Sequence, residues 1–247
     1  MDVRVLPAGE ELARAVATDA ATAVNDALER RNPARVMFAS GNSQLGFLAA
    51  LHDERVDWSR VVGFHMDEYI GVDAAHPASF ARYMRERVAD ALGVGRFHYL
   101  DGAAPDPEVE ARRYAALLAD HPLDLCCLGV GENGHLAFND PPVADFDDPL
   151  DVKVVELDEA SRRQQVGEGH FPSVDAVPPT AITVTIPALL RARRVLAVVP
   201  EARKAEPARR ALEDPVSTEC PASILRTQPH VTMYLDYESS ARLRSSA

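Results

Sequence analysis

Short apolar runs alternate along the chain with longer segments in which apolar residues recur every three or four positions. The runs are rich in β-branched residues and predict eight strands, at Val3–Leu6, Val36–Ala39, Val61–Met66, Leu123–Val130, Val152–Leu157, Ala181–Ile186, Val195–Val199 and Val231–Leu235. The longer segments predict helices at 9–30, 44–52, 78–92, 106–119, 187–192 and 201–213. Glycine and proline mark the joints between these elements.

This alternation predicts an α/β fold of the Rossmann-like kind, a three-layer sandwich with a mostly parallel sheet and helices on both faces. One hydrophobic core can organise 247 residues, so we expect a single domain over residues 1–247. The pattern breaks at 140–149 and 167–179, where proline, aspartate and glycine accumulate. We therefore expect a mobile lid around 141–179, lying over a site at the carboxyl ends of the strands.

Composition and charge narrow the classes of function. A net charge of −12 disfavours nucleic acid as a partner, because such binding depends on clustered Lys and Arg, although a small anion can still be held locally. The first residues are charged, and no run approaches the roughly 18 apolar residues of a membrane span. We expect a cytoplasmic protein with no membrane partner. Its three cysteines suit buried thiols better than a disulfide framework or a zinc site.

The turn after the second predicted strand consists of small polar residues, namely Ser40, Gly41, Asn42 and Ser43. A strand, a small-residue turn and a helix N-terminus together present main-chain N–H groups to an anion. The same residues also suit an ordinary turn with a helix N-cap. The pattern alone leaves both interpretations open.

Two adjacent acids, Asp67 and Glu68, follow the strand Val61–Met66. Side chains alternate along an extended strand, so at most one acid can point comfortably to each side. A carboxylate that is partly desolvated at the end of a buried strand has a raised pKa and can act as a general base. Both acids are catalytic candidates, although both also suit a capping role or a solvated sheet edge.

The strand Leu123–Val130 runs into a glycine-rich turn at Gly129, Gly131 and Gly134. Glycines at these positions indicate a tightly bent backbone that another group approaches closely. His135 follows the turn, and Asp140 lies close behind it in the sequence. A histidine oriented by a carboxylate suits acid and base chemistry near neutral pH, whereas a lone histidine is usually structural.

The same turn matches the letters G-x-G-x-x-G of a dinucleotide site, an interpretation that we reject. That site needs a helix opening in the turn and an acid about 20 residues later, whereas a loop rich in proline and aspartate follows here. Elsewhere, Lys204 lies near the start of the helix after Val195–Val199. Its ammonium group could bind a phosphate, or the side chain could be an ordinary solvated surface lysine.

Taken in order, these turns resemble the glucosamine-6-phosphate deaminase and isomerase family, which shares its fold with 6-phosphogluconolactonases and ribose-5-phosphate isomerases. The resemblance spans essentially the whole chain. Its most specific segments are Met66–Tyr69 and Gly129–Asp140, supported by the Ser40–Ser43 turn and by Lys204. The sequence Met-Asp-Glu-Tyr favours the deaminase branch, because the lactonase branch usually has a different acidic motif with a basic residue there.

The resemblance implies that Asp67 moves a proton between C2 and C1 of an open-chain amino-sugar 6-phosphate and that His135 assists ring opening. It implies that Asp140 orients His135, and that the Ser40–Ser43 turn and Lys204 hold the phosphate. An isomerisation of this kind needs one mobile proton and a polarised O1, which ordinary side chains supply. We therefore expect neither a metal nor another cofactor.

The chain departs from the family pattern in its glycine-rich turn. Asn133 stands where aspartate is frequent, so it can hydrogen-bond to His135 but cannot share charge with it. Asp140 stands where glutamate is usual and is one methylene shorter. We count Asn133 with the catalytic candidates and Gly134, which follows it, with the residues that bind the substrate.

A second departure lies in the lid, where the family carries a cation for the phosphate. An ungapped alignment places Glu168 or its neighbours there, and Arg162, Arg163 and His170 are nearby candidates for the task. This departure leaves open which amino sugar or related sugar phosphate is bound.

Two other functions remain alternatives. A lactone hydrolase of the 6-phosphogluconolactonase type would use His135 to activate water and would not need Asp67 as a base toward carbon. A sugar-phosphate sensor would keep the pocket without turnover. A homo-oligomer is compatible with the sequence, which does not decide the oligomeric state.

Overall fold

The computed structural model describes residues 1–244. Its ten strands are Asp2–Leu6 (β1), Ala34–Phe38 (β2), Val61–His65 (β3), Asp67–Tyr69 (β4), Arg96–His98 (β5), Leu125–Leu128 (β6), Val152–Glu156 (β7), Thr180–Val184 (β8), Val195–Val199 (β9) and Val231–Asp236 (β10). Its eight α-helices are Gly9–Arg30 (α1), Leu45–Leu51 (α2), Phe80–Met84 (α3), Asp90–Leu92 (α4), Pro107–Ala119 (α5), Glu159–Gly167 (α6), Ile186–Leu190 (α7) and Ala205–Glu213 (α8). A π-helical turn, Arg85–Ala89, joins α3 to α4.

Seven strands form the central sheet in the order β1-β10-β9-β6-β2-β3-β5. Every neighbouring pair in it is parallel, which confirms the α/β fold class predicted from the alternation of strands and helices. All strands therefore place their carboxyl ends at one edge of the sheet, where the site was expected.

Helices cover both faces of this sheet, as predicted. Val36 and Phe38 of β2 point to the face covered by α1 and α2, whereas Met37 between them points to the face covered by α5, α7 and α8. This alternation follows from the period of two in a strand. The two hydrophobic layers explain why the central strands are apolar throughout rather than alternately polar.

Two predicted strands lie outside the central sheet. β7 and β8 form a separate three-stranded antiparallel sheet with β4, in the order β4-β8-β7. Their apolar runs predicted that they were strands, but hydrophobicity does not specify the partner of a strand. This small sheet packs on the same face as α5 and α7, and it pairs Asp67 with Thr183.

Three elements were not predicted, namely β4, β5 and α6. The two strands have three residues each, too few to show a period. The helix α6 buries just Ser161 and Gln165, both polar, so it lacks the apolar stripe by which helices are recognised. Within residues 1–244, no helix is long and apolar enough to cross a membrane.

Glu68 joins β4 to the start of α3. Its carboxylate is fully buried and accepts hydrogen bonds from the main-chain N–H groups of Tyr69 (2.9 Å), Phe80 (3.1 Å) and Ala81 (2.8 Å) and from the hydroxyl of Ser79 (2.8 Å). Burial raises the pKa of Glu68 to about 7, while these four donors favour its ionised form. The hydrogen bonds of Glu68 thus tie the end of β4 to the start of α3.

We expect Glu68→Gln to lower the free energy of unfolding by about 2–3 kcal/mol, because an amide nitrogen would face buried N–H donors. Urea denaturation followed by circular dichroism measures the change. The matched control is Glu86→Gln, which alters an exposed glutamate paired with Arg82 and should change the unfolding midpoint little. Equal stability of the two variants would contradict the capping role of Glu68.

Candidate active site

A cleft of about 530 Å³ opens at the carboxyl ends of the central strands. Its walls come from the loops after β2, β3, β6 and β9, which the topology brings to one edge of the sheet. Six of the eleven candidate catalytic and substrate-binding residues line it, namely Ser40, Gly41, Ser43, Asp67, His135 and Lys204. Residues far apart in the chain are therefore gathered into one site.

Asp67 lies at the floor of this cleft and is 6% exposed. Burial, with the nearby charges of Glu68 and Asp140 acting in the same direction, raises the pKa of Asp67 to about 8. A carboxyl group of this kind exchanges a proton near neutral pH. Glu68, in contrast, does not line the cleft, because the alternation along β4 turns its side chain toward α3.

His135 is held from behind by Asp140, at 2.9 Å between His135 Nδ1 and Asp140 Oδ1. The hydroxyl of Ser161 lies 2.9 Å from the same Nδ1 and also donates to Asp140, while Asn133 donates to Asp140 Oδ1 at 2.9 Å. Burial would raise the pKa of Asp140, but the charge of His135 and the donated hydrogen bonds lower it to about 2. Asp140 therefore stays ionised behind the histidine.

Asn133 lies outside the cleft wall and acts through its neighbours. Its Oδ1 accepts a hydrogen bond of 3.0 Å from the main-chain N–H of His135, and its amide group contacts Asp140. This geometry agrees with the expectation that Asn133 forms a hydrogen bond to His135 and, being uncharged, shares no charge with it. Ser161 is a site residue that the sequence did not reveal, since it belongs to the unpredicted helix α6.

Two glycines of the turn have different surroundings. A Cβ on Gly131 would lie 2.2 Å from Nε2 of His135, so the absence of a side chain lets the imidazole pack on the backbone. Gly134 has φ +92°, and a Cβ there would lie 2.7 Å from Sγ of Cys220. Gly134 therefore faces the protein interior rather than the cleft, where we had expected it to contact the substrate.

The turn after β2 forms the opposite wall. Gly41 has φ +105°, a left-handed conformation that favours glycine, and its carbonyl accepts a hydrogen bond of 3.1 Å from the Tyr83 hydroxyl. Ser40, Gly41 and Ser43 line the cleft, whereas the Asn42 side chain donates to the main-chain oxygen of Glu168. The turn thus combines a cleft wall with a contact to the lid.

Lys204 completes this end of the cleft. It is 2% exposed, and burial lowers the pKa of its ammonium to about 8, with the charge of Arg203 acting in the same direction. The chain folds a buried cation into the cleft, next to the small-residue turn. The alternative of a solvated surface lysine is therefore wrong.

The lid contributes Gln164, Gln165 and Glu168 to the cleft wall. Arg162, Arg163 and His170 were the candidate lid cations for binding the phosphate, and none of the three lines the cleft. The guanidinium of Arg162 donates to the main-chain oxygens of Val174 and Val177, and Arg163 pairs with Glu159. The imidazole of His170 lies 3.5 Å from the carboxylate of Glu168. A buried aromatic contact, with 5.2 Å between the ring centroids of Phe171 and Tyr69, packs the lid onto β4.

Comparison with known proteins agrees with this arrangement. Residues 7–234 match the family model described as glucosamine-6-phosphate isomerases/6-phosphogluconolactonase. The chain is 36% identical over 210 residues to the glucosamine-6-phosphate deaminase of Exiguobacterium sp., with 84% of this chain and 80% of that one covered. It is 34% identical over 239 residues to the glucosamine-6-phosphate deaminase of Bacillus cereus, covering 97% and 88%.

Solved structures show the same relationship. A monomeric glucosamine-6-phosphate deaminase superposes with a TM-score of 0.89 at 31% identity, covering 98% of this chain and 100% of that one. The 6-phosphogluconolactonase of Shewanella baltica superposes with a TM-score of 0.79 at 20% identity, covering 96% and 97%, and so shares the fold. The chain is therefore an enzyme of the glucosamine-6-phosphate isomerase and 6-phosphogluconolactonase family.

Proposed function

We propose that this enzyme deaminates an amino-sugar 6-phosphate while isomerising it from aldose to ketose. Glucosamine 6-phosphate and water would give fructose 6-phosphate and ammonia. The observation that carries the proposal is the buried carboxylate of Asp67, with its raised pKa, in one cleft with the His135–Asp140 pair and Lys204. A lactone hydrolase would need the histidine but no base of this kind.

In the proposed reaction, His135 moves the proton that opens the sugar ring. The ionised Asp140 at Nδ1 orients the imidazole, which leaves Nε2 as the nitrogen available to exchange a proton with the substrate. Asp67 next removes the proton from C2 of the open chain and returns it to C1. The C2 imine that results is hydrolysed to the ketone, and ammonia leaves.

The raised pKa of Asp67 supports its role as proton carrier. A base that must take a proton from carbon and then return it works best when its pKa lies near the working pH. Burial, together with the charges of Glu68 and Asp140, shifts Asp67 into that range. The phosphate would lie at the other end of the cleft, against the Ser40–Ser43 turn and the ammonium of Lys204, where a cation and main-chain N–H groups suit an anion.

The first test measures ammonia and ketose 6-phosphate formed from glucosamine 6-phosphate, with galactosamine 6-phosphate and 6-phosphogluconolactone in parallel. We expect turnover of an amino sugar, and a loss of kcat of about 10³-fold or more in Asp67→Asn with substrate still bound. Lactone hydrolysis without amino-sugar turnover would contradict the proposal in favour of a hydrolase. Tight binding of an amino sugar without turnover would indicate a sensor.

The titration of Asp67 can be measured directly by carboxyl ¹³C NMR, with the resonance assigned through Asp67→Asn. We expect a midpoint near pH 8, well above the ordinary value of 3.8. Since the pKa is raised on folding, ionising Asp67 costs stability, and this cost grows as pH rises from about 4 to about 8. The urea midpoint of Asp67→Asn should therefore exceed that of the parent enzyme at pH 8, by more than at pH 5. A midpoint near pH 4 would contradict the proposed base.

Lys204→Ala should raise KM more than it lowers kcat, because a phosphate anchor contributes to the ground state and the transition state alike. The control is Lys153→Ala, which removes the chain's other lysine; this residue pairs with Asp148 at 2.7 Å and does not line the cleft. Steady-state kinetics on the amino-sugar phosphate distinguish the two variants. An unchanged KM in Lys204→Ala would exclude the lysine from phosphate binding.

A further inference from the structure

The lid places a carboxylate next to the turn proposed to hold the phosphate. The side chain of Glu168 is 4% exposed and lines the same cleft as Gly41 and Lys204. Its Oε2 lies 3.7 Å from the point that a Cβ on Gly41 would occupy. Asn42 of the turn donates a hydrogen bond of 3.3 Å to the main-chain oxygen of Glu168, which fixes the end of the lid helix to the turn.

The contacts of Glu168 hold its two oxygens in different ways. Oε1 accepts hydrogen bonds from the side chains of Gln164 (2.9 Å) and Arg203 (3.0 Å). Oε2 faces Gly41, with the imidazole of His170 at 3.5 Å. Burial would raise the pKa of Glu168, but these polar partners and the charge of Lys204 lower it to about 2. The side chain is therefore an anion at neutral pH.

The positive side chains near Glu168, namely Arg203 and Lys204, already have carboxylates of the protein close to them. Arg203 contacts Glu201 at 2.7 Å and Glu132 at 3.5 Å in addition to Glu168. Lys204 shares the cleft with Glu168. A phosphate dianion placed against Gly41 and Lys204 would meet the Oε2 charge at a few ångströms, where like charges in a partly buried site repel strongly.

We propose that Glu168 is an internal anion that occupies the phosphate position, so that a phosphorylated ligand binds only by displacing the Glu168 carboxylate from its place beside Gly41, in the cleft that it shares with Lys204. This inference rests on the proposed function for the place of the phosphate. The cost of displacing Glu168 is the same for every phosphate ligand. A sugar phosphate gains further contacts at Asp67 and His135 that offset this cost, whereas inorganic phosphate has no such contacts and binds weakly. Glu168 thereby keeps the free anion from filling the site, while the contacts at Asp67 and His135 provide the preference for the ester.

The test is Glu168→Gln, which removes the charge and preserves the lid contacts. The amide oxygen of glutamine can still accept hydrogen bonds from Gln164 and Arg203, since both side chains donate to Oε1 and not to Oε2. Two isosteric controls separate other effects. Glu159→Gln changes an exposed acid on the lid helix, and Glu201→Gln releases Arg203 from an acid that does not line the cleft.

Calorimetry with inorganic phosphate as the probe, at fixed ionic strength, measures the affinity of each variant. We expect Glu168→Gln to bind phosphate at least about tenfold more tightly than the parent enzyme, as follows from removing a nearby like charge. Both controls should stay within about twofold. In parallel, the KM for the amino-sugar phosphate should fall in Glu168→Gln.

Unchanged or weaker phosphate binding by Glu168→Gln would overturn the inference, and would mean that Glu168 positions the cations instead of occupying their ligand site. Equal tightening in Glu201→Gln would also overturn it, because the effect would then come from freeing Arg203. The phosphate measurement requires no turnover. If the parent enzyme turns over no amino sugar while Glu168→Gln binds phosphate more tightly, the proposed function fails and this inference stands.

Discussion

The site depends on the burial of one ionisable carboxylate, that of Asp67, where two sheets meet. Removing a carboxylate from water is costly, and the chain must hold it there from both sides. On one side, β4 pairs with β8 and sets Asp67 opposite Thr183. On the other side, Glu68 accepts four hydrogen bonds, three of which come from the start of α3 and secure it. The small sheet and the capped helix thus lie on the two sides of the carboxyl group whose pKa is raised by burial.

The buried charge at the opposite end of the cleft is positive rather than negative. There the chain buries a cation, Lys204, and balances it with an acid from the lid rather than with one from the sheet. Glu168 lies outside both sheets, whereas Asp67 lies in a strand of the small sheet. The end of the cleft proposed for proton transfer is therefore built on a strand, and the end proposed for the phosphate has its charge balance on a separate segment that packs through Phe171 on Tyr69.

The sequence predicted the parts of the fold that one-dimensional patterns describe. β2 and β9 are buried at every position, and continuous apolar runs specify such strands well. The alternation rule also predicted that Asp67 and Glu68 point to different sides. The pairing of β7 and β8 with β4 could not be predicted, because it depends on tertiary packing. The contacts of Arg162 and Glu168 could not be predicted either, since α6 and its C-terminal end lack the apolar stripe that would have indicated which side chains face the cleft.

The shorter acid behind His135 illustrates how the chain compensates for a departure from its family. Asp140 reaches Nδ1 at 2.9 Å although it has one methylene fewer than the glutamate usual there. Its Oδ1 also receives hydrogen bonds from Asn133 and from Ser161 of the lid helix. These donors keep the carboxylate ionised, and an ionised acceptor at Nδ1 places the imidazole proton on that nitrogen. Nε2 is then left without a proton and can accept one. Because Ser161 belongs to α6, which leads to Glu168, the lid contributes both a hydrogen bond behind the histidine and a negative charge at the end of the cleft proposed to bind the phosphate.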